Sequence, residues 1–389
     1  MNTLNPLIAP LGLAGVVVAD TAIGDVRGDE GFFHYRQYDA TQLAEHCTFE
    51  QVWHLVLFGD LPAADGTEGA QSAEDAAWTA RTQGALAVDE TIRTAVTQVL
   101  QVTPQADVMT MLRTGVSVHG SLVGDAALWD SDEPAKEQIA LRTAGFLPWL
   151  VGAAYAVRTG AQPRAPRPEL GYVGNYLWLV TGAEPSADAV RALSRYLCLT
   201  VDHGFNASTF TARVVASTGA DLSGSVVAAL GALSGPLHGG APSRALDALD
   251  EIGSADRAEQ WARDRLAAGE RLMGFGHAVY RGLDPRSELL KRTAAELGGA
   301  TAELALAVED TVVAVLDEHK PDRPLRANVE YYAGVVMESC GLPRELFTPT
   351  FTMSRTVGWT AHILEQSRGT KIFRPSSRYV GPPAPQPLP

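Results

Sequence analysis

The chain has 389 residues, 46% of them hydrophobic, and a formal net charge of −14. So acidic a protein excludes nucleic acid as its main partner, because phosphate recognition needs a basic face, and it can hold an anion only in a local basic pocket. No uncharged apolar run reaches the roughly 18 residues of a membrane-spanning helix. The three cysteines, Cys47, Cys198 and Cys340, form no paired motif, which fits reduced thiols in a cytoplasmic protein.

From the N-terminus, the apolar stretch Leu7 to Ala19 has no basic residue before it and is broken by Pro10, Gly12 and Gly15, a poor match to a signal peptide. Leu13 to Ala19 and Phe32 to Tyr38 are the two stretches with strand character. Helical signals dominate after them. Thr48 and Gln51 form a capping-box pattern ahead of Val52-Trp53-His54-Leu55-Val56. Thr159 to Glu169, with Pro163, Pro166 and Pro168, reads as a stiff loop. Ser186 stands where a helix over Ala187 to Leu199 needs its N-cap, and Ser223 does the same for an almost wholly apolar helix over Gly224 to Leu233. A helix apolar all round is usually buried, so layered helices are expected. Apolar residues recur at helical spacing from Glu303 to Lys320. Five prolines in Gly381 to Pro389 predict an extended tail. The fold class is all-α. No solenoid repeat is visible, and composition alone marks no domain boundary.

The residues able to do chemistry cluster in the second half. Gly235-Pro236-Leu237-His238-Gly239-Gly240-Ala241 sets one imidazole among residues with little side chain, where backbone or ligand can come close. Gly274-Phe275-Gly276-His277 repeats the device. Its glycines begin like a dinucleotide fingerprint but lack the third glycine and a preceding strand. Arg281, Arg286, Lys291 and Arg292 follow, set against Asp284 and Glu288, a locally basic stretch in an acidic chain. Guanidinium forks match carboxylates and phosphates, although a solvated helix face has the same pattern. Arg355 is isolated in the nearly uncharged Phe351 to Trp359, and such a charge needs a partner, either an internal carboxylate or an anionic substrate. Glu330 lies among aromatic and small residues in Asn328 to Gly334, where burial would raise its pKa toward that of a general base, unless a nearby arginine pairs with it. Asp202-His203-Gly204-Phe205-Asn206-Ala207-Ser208 supplies a third histidine beside small and polar groups. His34, His46, His54, His119, His319 and His362 receive no catalytic role. Phosphate-loop, HExxH and GxSxG motifs are absent. Histidines, arginines and one carboxylate base together suit proton abstraction next to a carbonyl on a small polyanionic acid.

These segments in this order, from Gly12-Leu13-Ala14-Gly15-Val16-Val17 to Arg374-Pro375, resemble the citrate synthase family, most closely its bacterial citrate/2-methylcitrate synthase branch. The resemblance implies a large helical domain over residues 1–219 and 332–380, a small helical domain over 220–331, and the tail 381–389. It implies a homodimer, no nucleic-acid or membrane partner, no metal and no tightly bound cofactor, with a CoA thioester as substrate. By motif, His238 would hydrogen-bond the thioester carbonyl, Glu330 would remove the α-proton and His277 would hold the ketone oxygen of oxaloacetate. His203, Arg286 and Arg355 would bind oxaloacetate, together with Arg374 from the partner subunit, and Arg281 would face CoA phosphate. Acetyl-CoA is the expected acyl donor and propionyl-CoA the alternative, since one methylene is worth only about 1–3 kcal/mol in a pocket. A catalytically weak paralogue that binds CoA or an oxoacid is the reading from another class, and a histidine-ligated metal hydrolase ranks below it.

One departure stands out. The family normally carries aspartate where this chain has Glu330. The extra methylene moves the carboxylate by up to about 1.5 Å on a fixed backbone, and a misplacement near 1 Å can cost on the order of 100-fold in rate. A backbone set back to compensate is the expected answer.

Overall fold

A computed structural model describes residues 7–62, 72–236, 238, 242–276, 279–280, 282–322 and 324–388. A small antiparallel sheet opens the fold, with β1 (Gly24–Arg27), β2 (Phe32–Tyr35) and β3 (Tyr38–Asp39) in that order. Gly24 pairs with Tyr35 and His34 with Asp39. Sixteen helices follow among the described residues. They are α1 (Ala40–His46), α2 (Phe49–Phe58), α3 (Ala73–Leu86), α4 (Glu90–Leu100), α5 (Val108–Val123), α6 (Glu133–Arg158), α7 (Gly171–Thr181) and α8 (Ala187–Thr200), then α9 (Ala207–Ala216), α10 (Leu222–Leu233), α11 (Pro242–Ile252), α12 (Ala258–Ala267), α13 (Pro285–Leu297), α14 (Ala300–His319), α15 (Val329–Ser339) and α16 (Phe347–Ser367). The fold is all-α, as the helical patterning requires.

Local signals explain most helix starts. The Thr48–Gln51 capping box is formed, and Ser186 caps α8 through Ala189 N–H. Two expectations fail. Leu13 to Ala19 forms no strand: a short 3-10 turn covers Leu11–Leu13, and the chain beyond is irregular and mostly exposed, with no neighbouring strand to pair. Helix α10 is capped by Asp221, not Ser223. The Asp221 carboxylate takes Gly224 N–H at 2.6 Å, while the Ser223 hydroxyl turns away to Asp125.

The helices pack in two groups. In the first, α6 is the axis, with α3, α5, α7 and α16 laid against it. By length and composition α6 could cross a membrane, but 89% of its apolar window is buried inside the fold, as in a core helix. Helix α10, which follows residue 220, packs on α5, α9 and α16. In the second group α15 packs on α11, α13 and α14, and α12 on α14. The groups meet where α13 and α15 rest on α8. Helix α16 lies so close to the loop after α8 that a Cβ on Gly358 would stand 2.0 Å from the Val201 carbonyl oxygen, so only glycine fits there.

Candidate active site

A cavity of about 320 Å³ opens where the two groups meet. His203, His238, Arg286, Glu330 and Arg355 all line it, with Tyr196, Thr200, Asn206, Val279, Asn328, Val329, Ala333 and Phe351. Five residues singled out in the sequence thus share one space, drawn from the α8–α9 loop, the loop after α10, and the starts of α13 and α15, with α16 closing it. A larger cavity of about 670 Å³ contains none of them; Glu45, Glu50, Asp75 and Glu169 line it with Arg191 and Arg195. Arg374 is exposed on the extended segment after α16 and does not line the smaller cavity. His277 and Arg281 lie outside the described residues.

His203 sits on a loop tied from several sides. Its neighbour Asp202 is 2% exposed, accepts Gly204 N–H on one oxygen and faces His362 Nε2 at 3.0 Å with the other. The other nitrogen of His362, Nδ1, lies 3.0 Å from Arg213 Nη1. A guanidinium can only donate, so Nδ1 accepts, and the Nε2–H of His362 points to Asp202. Burial pushes the Asp202 carboxyl up, but His362, Arg355 and the Gly204 N–H outweigh it and hold its pKa below 3.8. Tyr35 donates to the Cys198 carbonyl at 2.9 Å from the sheet side.

His238 is fixed by the start of α9. Ser208 backbone N–H points to its Nε2 at 3.3 Å, and Ser208 Oγ is 2.9 Å away. A backbone N–H only donates, so Nε2 accepts and the neutral ring carries its proton on Nδ1. Burial first, then the charge of Arg355, lowers the His238 pKa below 6.5, so the ring is neutral near pH 7. A neutral imidazole N–H is a donor suited to an oxygen that gains negative charge.

The two arginines differ. Arg286 is 5% exposed and bidentate to Asp284, Nε to Oδ1 at 3.0 Å and Nη2 to Oδ2 at 2.9 Å. Asp284 also takes the N–H groups of Arg286 and Val329, so one carboxylate joins the N-termini of α13 and α15. Arg355 is 3% exposed; its Nε donates to the Thr200 carbonyl, and its guanidinium lies 4.7 Å from the Phe351 ring centre. Among the described residues no carboxylate forms a salt bridge with Arg355. Burial lowers its pKa, and Asp202 only partly offsets that. A buried guanidinium that lines a cavity and forms no direct salt bridge among the described residues is half of an anion site.

Glu330 occupies the first turn of α15, whose N-cap Asn328 accepts Glu330 N–H. Burial raises its pKa above 4.5; Arg286 opposes the rise and Asp284 adds to it. This is a carboxylate tuned toward accepting a proton. Ser208 and Tyr280 were not legible as site residues, because each acts on a histidine distant in the chain and only the fold makes the pairs. Among the described residues no group of three or more His, Cys, Asp and Glu side chains could hold a metal.

Residues 12–376 match the family model described as citrate synthase, C-terminal domain. The chain is 36% identical to a putative citrate synthase 2 of Mycobacterium tuberculosis, covering 95% of this chain and 92% of that protein. It is also 36% identical to a 2-methylcitrate synthase of the same organism, covering 95% and 90%. A citrate synthase from Thermoplasma acidophilum, solved as a ternary complex with carboxymethyl coenzyme A and oxaloacetate, superposes with a TM-score of 0.85 at 27% identity, covering 97% of this chain and 98% of that one.

Proposed function

The chain belongs to the citrate synthase family and is an acyltransferase; on that premise we propose that it condenses acetyl-CoA with oxaloacetate and hydrolyses the citryl-CoA formed to citrate and CoA. The observation that carries this reading is the cavity itself: a buried arginine with no salt bridge among the described residues, a neutral imidazole donor and a raised carboxylate face one space.

In the proposed reaction Arg286, Arg355 and His203 bind oxaloacetate, and Arg374 of a partner subunit completes the set in a homodimer. Glu330 takes a proton from the thioester's methyl group, while His238 Nδ1–H holds the carbonyl oxygen as it becomes an enolate. The enol carbon then bonds to the ketone carbon of oxaloacetate, whose oxygen is held by His277. Water finally cleaves the thioester C–S bond, leaving the new carboxylate and releasing CoA as the thiol. Arg281 faces CoA phosphate. No tightly bound cofactor enters these steps. The three cysteines are free, which supports a reducing, cytoplasmic setting. The small domain is taken within residues 220–331. The mutual packing of α11 to α15 supports such a unit, and the packing of α10 on α5 and α9 favours starting it after α10.

Propionyl-CoA is the second acyl donor, supported by the equal 36% identity to relatives named for each activity. The test is CoA thiol release from oxaloacetate with either thioester. Turnover of acetyl-CoA faster than of propionyl-CoA is expected. The reverse order makes the enzyme a 2-methylcitrate synthase, and no release with either overturns the synthase reading.

A further inference from the structure

Tyr280 is 3% exposed and stands behind the cavity, not among the residues that line it. Its neighbour Val279 does line it. The Tyr280 hydroxyl is 3.0 Å from His203 Nε2, and the two ring centres are 5.6 Å apart at 61°. The Arg286 guanidinium lies 5.6 Å from the centre of the same phenol ring. On the far side Phe33 of β2 closes the arrangement, with its ring 5.7 Å from His203 and 6.0 Å from Arg286. One phenol therefore touches two proposed oxaloacetate ligands that come from different helix groups.

The chemistry gives that contact a direction. Burial raises the Tyr280 pKa well above 10, so the phenol stays protonated through the working range and keeps both donor and acceptor capacity. An imidazole can rotate about its χ angles, and a hydrogen bond at one ring nitrogen stops that rotation in either tautomer. A guanidinium over an aromatic face is held in position without losing its outward N–H groups. We propose that Tyr280 is a positioning residue for oxaloacetate: its hydroxyl orients His203 and its ring face sets Arg286, fixing the spacing of the two ligands across the cleft. This rests on His203 and Arg286 being oxaloacetate ligands.

The test is calorimetric titration of oxaloacetate, which needs no turnover, into the full-length protein and its Tyr280→Phe, His203→Ala and Tyr280→Phe/His203→Ala variants, with Arg286→Leu as a control. Phenylalanine keeps the ring and removes one oxygen. Tyr280→Phe is expected to weaken oxaloacetate binding on the order of tenfold, with CoA binding and the thermal midpoint unchanged. The double variant is expected to bind no more weakly than His203→Ala alone, since the hydroxyl acts through the imidazole. Wild-type affinity in Tyr280→Phe, or losses that simply add in the double variant, overturns the proposal while the ligand assignment stands. Unchanged binding in both His203→Ala and Arg286→Leu overturns the ligand assignment and the proposal with it.

Discussion

Asp202, next in the chain to the cavity-lining His203, and Glu330, which lines the cavity itself, are two carboxylates that burial pushes toward protonation. Asp202 ends below the ordinary aspartate pKa, because His362, Arg355 and a backbone N–H converge on it. Glu330 ends above the ordinary glutamate pKa, because burial outweighs the charge of Arg286, and Asp284, paired with that arginine, adds to the rise. The same desolvation thus accompanies a carboxylate held ionised behind the cavity lining and a proton acceptor within it. What separates them is the number of donors the fold spends on each. The arginines repeat the contrast: Asp284 outweighs burial and holds the Arg286 pKa up, whereas Arg355 stays lowered by burial.

Replacing Glu330 tests this contrast most severely. Glu330→Gln keeps the shape and removes the base, so kcat for CoA release should fall on the order of 1,000-fold or more, with oxaloacetate binding retained. Glu330→Asp shortens the reach and should leave an intermediate rate; full activity there would mean that the backbone tolerates either carboxylate. The pH dependence has a definite sign. A base must be deprotonated, so the acid limb of kcat/KM should lie above the ordinary value of 4.5. A raised folded pKa also stabilises the protonated form, and that stability is lost as pH rises through it. Glu330→Gln should therefore be more stable than wild type at neutral pH, with the difference closing as pH falls. A variant less stable than wild type at neutral pH would show that Glu330 is a structural ion-pair member.

The arginines give the next largest effect. Arg355→Leu should weaken oxaloacetate binding on the order of 100-fold, equivalent to about 3 kcal/mol, with a smaller loss of stability than Arg286→Leu. Arg286→Leu removes the guanidinium paired with buried Asp284, and should cost about 3–5 kcal/mol of stability as well as binding. Urea unfolding beside calorimetry separates the two. Equal stability losses would mean that Arg355 also has an internal counterion.

Asp202→Asn should cost about 1–3 kcal/mol in the same unfolding assay. A lowered folded pKa contributes stability that is present above the unfolded value and lost as pH falls through the folded one. The variant's deficit should therefore be full at neutral pH and shrink below about pH 4. That is opposite in sign to the Glu330→Gln difference. Two variants moving the same way would erase the distinction between the two carboxylates.

The sequence revealed residues whose chemistry is local. His238 stands between glycines and Arg355 is the lone charge of its stretch, so both were visible before any fold. The capping box at Thr48 was visible for the same reason, since its two partners are three residues apart. Relations across the chain were not visible. Asp202 and His362 are 160 residues apart, and neither flank suggests the other. Strand β1, Gly24–Arg27, is too short, with one large apolar side chain, to be read from the sequence alone, and it pairs with β2. Leu13 to Ala19 had the apolar pattern but no such partner. Capping of α10 was a contest between Asp221 and Ser223, decided by Asp125 taking the serine hydroxyl.

The smallest effect is expected at Ser208. Its side chain lies 2.9 Å from His238 Nε2 and 2.8 Å from Asn206 Oδ1, a pattern that invites the view that the hydroxyl tunes the imidazole. The backbone N–H of Ser208 makes the same nitrogen an acceptor, and Asn206 caps α9 through Thr209 N–H whether or not the hydroxyl is present. Ser208→Ala removes the movable proton and leaves the fixed one. The tautomer of His238 should survive, and kcat should fall only about three- to tenfold, roughly the worth of one neutral hydrogen bond. A fall on the order of 100-fold or more would transfer control of the His238 proton from the helix backbone to the serine hydroxyl. The imidazole would then owe its set to a rotor, and the contrast between groups fixed by the fold and the group that titrates would fail at its most local point.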